Sequence, residues 1–326
     1  MRLIITILCF ALFFSCNNGE GGNQKYLSSS SGNINSISVV SDNIVWDGDV
    51  GESIRSIFAA PLEGLPQDEP IFSLTQIPTQ VFSDFATRNR IILKIEKSDE
   101  AKVSIHRNVY AKPQTVVLVK GKTNQEIISQ LESNAPKIID AFNKEEVREK
   151  LRRINKSLLK DEAMEQALGF KVDIPSAYRI AKAEENFYWI RKSISNNKET
   201  MDLMFYSLPI DEIKQGDSTI IDIIRVRDSI VKKYIPGPEE GKYMATEDAY
   251  VPSLFKTIVN NKPTFETKGI WEVKGMYMAG PFVNYAIEDK VNNRYLVAEG
   301  YVYAPRLDKR RLVFELEAII KSITIN

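Results

Sequence analysis

Apolar residues recur along the chain with two different periods, and the places where the period changes mark the predicted elements. Ser36–Ser41, with Ile37, Val39 and Val40, predicts a short strand. After Asp47-Gly48-Asp49 the spacing becomes helical, with Val50, Ile54, Ile57 and Phe58 on one face, Asp49 and Glu52 spaced as a capping box, and Pro61 as the stop. The proline-punctuated loop Leu62–Pro70 leads to a strand over Ile71–Ile77, and Pro78 opens a short helix through Phe82 and Phe85. Arg90–Glu96 and Val103–Arg107 alternate with period two, which predicts a hairpin turning at Ser98-Asp99-Glu100, and Gln114–Lys120 predicts a further strand. Thr123 and Glu126 then cap a long helix carrying Ile127, Ile128, Leu131, Ile138, Ile139 and Phe142, with a kink expected at Pro136. Its charged second part presents Val147, Leu151, Ile154 and Leu158. The Lys, Arg and Glu between them read as a solvated face linking two halves of the chain.

Gly169 marks the start of a second unit. Phe170–Ile174, Tyr178–Ala183, Phe187–Ile194 and Met201–Leu208, separated by turn residues, predict an antiparallel meander of four strands. A helix over Ser218–Tyr234 stops at Pro236-Gly237-Pro238, and Glu239–Val251 is too rich in Gly, Glu and Asp to pack. Phe282–Glu288 and Arg294–Ala304 predict a long hairpin around Asn292-Asn293, where asparagine accepts the positive φ of a tight turn. A last helix from Asp308 places Leu312, Leu316, Ile319, Ile320 and Ile323 inward. The fold class expected is α+β. Two α/β domains, residues 34–160 and 161–326, each hold an antiparallel or mixed sheet flanked by helices.

The first residues change the picture from a plain two-domain chain to an anchored one. Arg2 followed by the apolar run Leu3–Phe14 is too short to cross a bilayer and reads as a signal peptide, residues 1–15. Ser15-Cys16 closes it in a pattern that resembles a bacterial lipobox, although Phe14 stands where a smaller residue is usual. That pattern implies cleavage before Cys16 and acylation of its thiol, with more than one acyl chain needed for lasting attachment. Residues 16–33 then read as the acylated cysteine and a flexible tether, the Asn, Gly and Ser stretch to Ser31 spanning about 20 Å. The expected location is the cell envelope, lipid-anchored to the outer membrane on either face.

Charge and cysteine content then remove several function classes. Lys plus Arg and Asp plus Glu number 43 each, so the chain as a whole carries no basic field for nucleic acid. Both cysteines, Cys9 and Cys16, lie at the start, which leaves the cleaved chain no thiol for a disulfide, a thiolate metal site or a nucleophile. Gly121-Lys122-Thr123 has the end of a phosphate loop, but Val116 occupies the position of its first glycine, so no nucleotide is expected. Asp47, Asp49 and Glu52 read as a helix start and not a calcium loop, because the glycine and the oxygen ligand fall in the wrong order. His106, the single histidine, falls on the outward face of its strand. No cofactor is expected.

Several stretches together resemble a known family. Trp46-Asp47-Gly48 through Phe58, the loop Leu65–Pro70 and Phe72–Gln76 carry the resemblance in the first half. Gly269-Ile270-Trp271, Gly280-Pro281-Phe282, Glu299–Pro305 and Leu316–Ile320 carry it in the second. They are similar to a family of Bacteroidetes lipoproteins known as domain of unknown function 4837. The resemblance extends over nearly the whole chain after the signal peptide and implies an envelope compartment, but no catalytic residues. The element order of the second half is also similar in pattern to the α/β sandwich of the PsbP and Mog1 families.

The candidate site is the segment Trp271, Met276, Tyr277, Met278, Gly280, Pro281 and Phe282. Methionine and aromatic side chains make adaptable contact surface, although the same residues serve equally well as a cap on the sheet. The expected function is a non-enzymatic binding module for an envelope protein, glycan or lipid. The alternative is an envelope polymer hydrolase using paired carboxylates such as Asp47 with Glu69, or Glu239 with Asp248.

Overall fold

The computed structural model describes residues 26–195 and 199–325. The expected signal peptide, the expected acylation site Cys16 and most of the expected tether lie outside the described residues. The fold is α+β, built on two main sheets.

The first sheet consists of β2 (Ser36–Val40), β3 (Ser73–Ile77), β4 (Ile91–Lys97), β5 (Lys102–Arg107) and β7 (Thr115–Gly121), in the order β3-β2-β4-β7-β5. Two-residue strands β1 (Ser28–Ser29) and β6 (Ala111–Lys112) pair beside it. The expected β4–β5 hairpin does not form. β4 pairs in parallel with β7, and β5 lies antiparallel on the far side of β7. The reason is burial: Ile91, Ile92 and Leu93 in β4 and Val116, Val117 and Val119 in β7 are buried on both faces and therefore take central positions. Lys102–Arg107, with charged residues at both ends, fits an edge, where charge also discourages pairing with other chains.

Helices cover one face of this sheet. α1 (Asn43–Asp47) leads into α2 (Asp49–Phe58), which buries Val50, Ile54 and Phe58. The predicted capping box is not formed, since Gly48 occupies the cap position and no side chain bonds there. α3 (Asn124–Ile154) is a helix of 31 residues that continues through Pro136. Thr123 caps it by accepting from the Glu126 N–H at 3.1 Å, as its sequence predicts. Phe142 of α3 meets Phe58 and Phe72 edge-on, with ring centroids 6.4 and 6.1 Å apart; such pairs add about 0.5–1.5 kcal/mol beyond their buried area.

The second half of α3 is solvated on one side only, where Lys144, Arg148, Arg152 and Arg153 are exposed. Glu145, Glu146 and Glu149 are buried, Glu145 against Thr115 and Glu146 against Arg90 and Asn35. Glu146 bonds Arg90 at 2.7 Å and accepts the Asn35 N–H at 2.6 Å, and Lys150 bridges to Glu315 of the last helix at 2.7 Å. The periodicity showed where charge lies but not what it meets.

The second sheet has eight strands, all paired antiparallel: β9 (Arg179–Glu184), β10 (Phe187–Ser195), β11 (Glu199–Pro209), β12 (Met244–Thr246), β13 (Ser253–Val259), β14 (Lys262–Val273), β15 (Ala279–Asp289) and β16 (Arg294–Tyr303). The order is β12-β14-β15-β16-β11-β10-β9, with β13 also on β14. The expected meander keeps three of its four strands; β8 (Phe170–Lys171) pairs instead with β17 (Thr324–Ile325). Met244–Thr246, placed by sequence in an unpacked loop, is a buried strand, and the hairpin of β13 and β14 has no counterpart in the sequence reading. The predicted β15–β16 hairpin forms, with Asn293 at φ 51°.

Alternation along these strands divides the residues between two cores. Leu203, Phe205, Tyr285, Ile287, Leu296, Ala298 and Val302 face α4 (Glu162–Leu168) and α6 (Arg310–Lys321). Trp189, Met204, Tyr206, Phe282, Val297, Tyr301 and Trp271 face α5 (Thr219–Tyr234). Helices therefore lie on both sides of the eight-stranded sheet.

Candidate functional site

The face of the sheet toward α5 carries polar residues inside apolar strands, and these define the candidate site. Asp202 stands between Met201 and Leu203, both buried, and is itself fully buried. One of its oxygens accepts from the Arg191 Nε at 2.7 Å and from the Trp189 indole Nε1 at 2.8 Å. Its other oxygen and the buried hydroxyl of Tyr301 make no well-formed hydrogen bond, although Thr200 stands near the first and Arg191 near the second. Burial raises the Asp202 pKa from its ordinary value, and the adjacent Arg191 charge opposes that shift. Burial, then the charge of Asp202, pushes the Tyr301 hydroxyl well above its ordinary range.

Aromatic side chains enclose these groups. Arg191 lies over the Trp189 ring at 4.4 Å. Trp271 donates to the Val302 carbonyl at 3.2 Å and packs edge-on to Tyr301, with Tyr303 at 6.1 Å. Together with Met244, Met278 and the turn Pro236-Gly237-Pro238 they line a pocket of about 290 Å³. Gly280 is part of the construction: a Cβ there would sit 2.0 Å from the Val302 carbonyl oxygen and 3.0 Å from the Trp271 indole nitrogen. Only glycine lets β15 and the Trp271 ring approach this closely.

The structure divides the predicted segment. Trp271 and Phe282 are core residues, Phe282 lying under the Arg227 guanidinium at 4.0 Å, so neither is available to touch a protein partner directly. Gly280 and Pro281 are likewise buried. Met276 is partly buried, Met278 lines the pocket, and Tyr277 is fully exposed at the tip. The segment is the tip of a hairpin, in which β14 and β15 pair from Thr264 and Ile287 up to Glu272 and Ala279. Trp189, Arg191, Asp202, Tyr301 and Tyr303 were missed. An aspartate in the middle of an apolar strand is the signal in the sequence that points to them.

One member of each proposed carboxylate pair has another partner. Both oxygens of Glu69 accept helix-end amides, from Lys309 at 2.7 Å and Arg310 at 2.9 Å, so Glu69 caps α6 across the two halves. Asp248 is exposed and bridges to Lys274 at 2.8 Å. His106 is exposed, and its ring hydrogen-bonds with the Ser104 hydroxyl at 3.0 Å.

Residues 157–322, more than half of the chain, match the model of domain of unknown function DUF4837. The chain belongs to the DUF4837 family. The DUF4837 match does not extend over the first half, where the sequence resemblance had placed it; residues 30–155 match a second model, domain of unknown function DUF8532. No curated protein matches the chain. Among similar solved structures is the Ran-binding protein Mog1p of Saccharomyces cerevisiae, at 9% identity and TM-score 0.34, covering 48% of this chain and 90% of that one. LpqN of Mycobacterium tuberculosis, described as involved in cell envelope biogenesis, is similar at 12% identity and TM-score 0.30, covering 48% and 83%. A Bacteroides thetaiotaomicron protein is similar at 10% identity and TM-score 0.25, covering 49% and 46%.

Proposed function

We propose that this DUF4837 protein is a lipid-anchored cell-envelope protein that acts by binding, and that its ligand enters the pocket of Trp189, Trp271, Tyr301 and Tyr303. The observation that carries the reading is the Tyr301 hydroxyl, a buried polar atom without a well-formed hydrogen bond that lines an aromatic pocket, with Asp202 held behind it by Arg191 and Trp189. Buried polar atoms are ordinarily satisfied, so the Tyr301 hydroxyl, with the partly exposed Arg191 beside it, is the natural hydrogen-bonding partner of an occupant. The occupant that fits has a flat apolar face and a hydrogen-bonding edge, which describes a sugar ring of an envelope glycan. The exposed Tyr277 and the Met278 beside it give the pocket an adaptable rim. Anchoring rests on the sequence: Arg2, the apolar run Leu3–Phe14 and Ser15-Cys16.

Two of the three tryptophans line the pocket, the third being Trp46 in the first half, so indole emission is the direct readout. Titration with soluble envelope glycan fragments is expected to shift emission in the wild type and not in Tyr303→Ala or Arg191→Gln. Emission unmoved by glycan fragments, while short peptides shift it, would transfer the site to a peptide ligand. For the anchor, labelling with a fatty-acid analogue is expected to mark the wild type and not Cys16→Ala; label retained in the variant would exclude Cys16.

A further inference from the structure

A second pocket, of about 270 Å³, opens where the two halves meet, lined by Asn33, Ile34, Ser36, Ser73, Lys150, Arg153, Arg310 and Arg311. Four of these residues are cations and none is a carboxylate. Two of the four already have counter-charges at the edge of the pocket, Lys150 with Glu315 and Arg153 with Glu149, each at 2.7 Å. Arg310 and Arg311 have no ion pair among the described residues. Arg311 is exposed, whereas Arg310 is 6% exposed, and its Nε has no partner. Among the described residues the Arg310 side chain makes one hydrogen bond, from Nη2 to the Asn35 carbonyl at 3.0 Å. Glu69 and Glu146 are near enough to act on it electrostatically, but their oxygens are taken by helix-end amides and by Arg90 and the Asn35 amide. Burial accordingly lowers the Arg310 pKa to about 10. A desolvated guanidinium with a free donor and no paired anion is a costly arrangement that an anionic ligand would relieve.

The adjoining larger cavity, of about 410 Å³, shares Arg310 but is compensated internally, because Lys268 there bridges Glu266 at 3.1 Å and Glu317 at 2.8 Å. An anion is therefore favoured in the smaller pocket. We propose that this junction pocket binds a phosphate monoester, with Arg310 and Arg311 supplying the two unmatched charges and Ser36 and Ser73 the neutral donors. A monoester carries close to two negative charges near pH 7, which balances two arginines, whereas a carboxylate balances one. Guanidinium forks also suit the spread oxygens of a phosphoryl group.

Calorimetric titration of the full chain tests this with two probes, glycerol 3-phosphate and short-chain dihexanoyl phosphatidic acid below its micellar concentration. Saturable binding of either supports the site; tighter binding of the diacyl compound assigns a lipid headgroup, and equal binding assigns a free phosphorylated metabolite. Arg311→Gln, at an exposed position, is expected to melt as the wild type does and to weaken binding about tenfold. Lys232→Gln, which removes a charge elsewhere, is expected to leave binding unchanged. Absence of saturable heat with both probes would overturn the proposal, and so would equal weakening by Arg311→Gln and Lys232→Gln.

Discussion

Arg227 and Arg310 are both buried arginines of the C-terminal half, yet their surroundings differ in the feature that matters for a buried charge. Arg227 meets Glu299 at 2.9 Å, Asp228 at 3.1 Å and the Thr246 hydroxyl at 3.2 Å, and its guanidinium lies on the Phe282 ring. Glu299 in turn accepts from the Asn284 amide at 2.9 Å, which completes the network beneath α5. Arg310 has one carbonyl and a free Nε. The first cation is satisfied by the fold and serves the fold. The second keeps an unpaired donor beside the pocket where the two halves meet. What separates a structural arginine from a binding one is therefore the counter-charge supplied within the chain.

The comparison predicts unequal costs for breaking the two sites. Glu299→Ala strands Arg227 in the core and is expected to cost about 3–5 kcal/mol in urea denaturation. Replacing both partners, Arg227→Met with Glu299→Leu, should recover most of that loss; a double variant as unstable as Glu299→Ala would mean the network is needed for packing itself. Glu69→Gln, which removes the charge that caps α6 at Lys309 and Arg310, is expected to cost about 1–2 kcal/mol. Unchanged stability would show that water replaces the cap.

A pH series sharpens the contrast between satisfied and unsatisfied charge. Burial alone would raise the Glu149 pKa, but its bonds to Arg152 and Arg153 reverse this and bring it from 4.5 to about 2. A depressed carboxylate stabilises the folded state above its unfolded pKa, and that contribution is lost as pH falls toward the folded value. The stability gap between the wild type and Glu149→Gln should thus be full at pH 7 and close between pH 4.5 and about 2. A gap that stays constant over that window would contradict the assignment. Arg310→Met is expected to have the smallest effect, within about 1 kcal/mol of the wild type, because removing an uncompensated cation offsets the lost bond to Asn35.

The legible part of the fold was the part set by local alternation. Asn293 at the β15–β16 turn, Thr123 at the start of α3, and Leu316, Ile319 and Ile320 on α6 all stand where periodicity and turn chemistry put them. Pairing between distant strands was less legible. β4 and β5 are neighbours in sequence, but β7 lies between them, since only burial on both faces distinguishes a central strand from an edge. The site was half legible. Trp271 and Met278 do line the pocket, but Trp189, Arg191 and Tyr301 come from strands far away in sequence, and no spacing rule links them. The buried glutamates of α3 were misread for the same reason: Arg90, Thr115 and Asn35, which receive two of them, lie outside any helical window.

Thermal melting in phosphate and in chloride at matched ionic strength tests the difference between the two arginines most directly. A ligand that binds only the folded state stabilises it by about 2.7 kcal/mol at roughly one hundred times its Kd. Phosphate is expected to raise the melting temperature of the wild type and of a folded Arg227→Met/Glu299→Leu variant, and to leave that of Arg310→Met unmoved. Equal stabilisation of Arg310→Met and the wild type would contradict the account, because phosphate would then be acting somewhere other than at the unmatched charge.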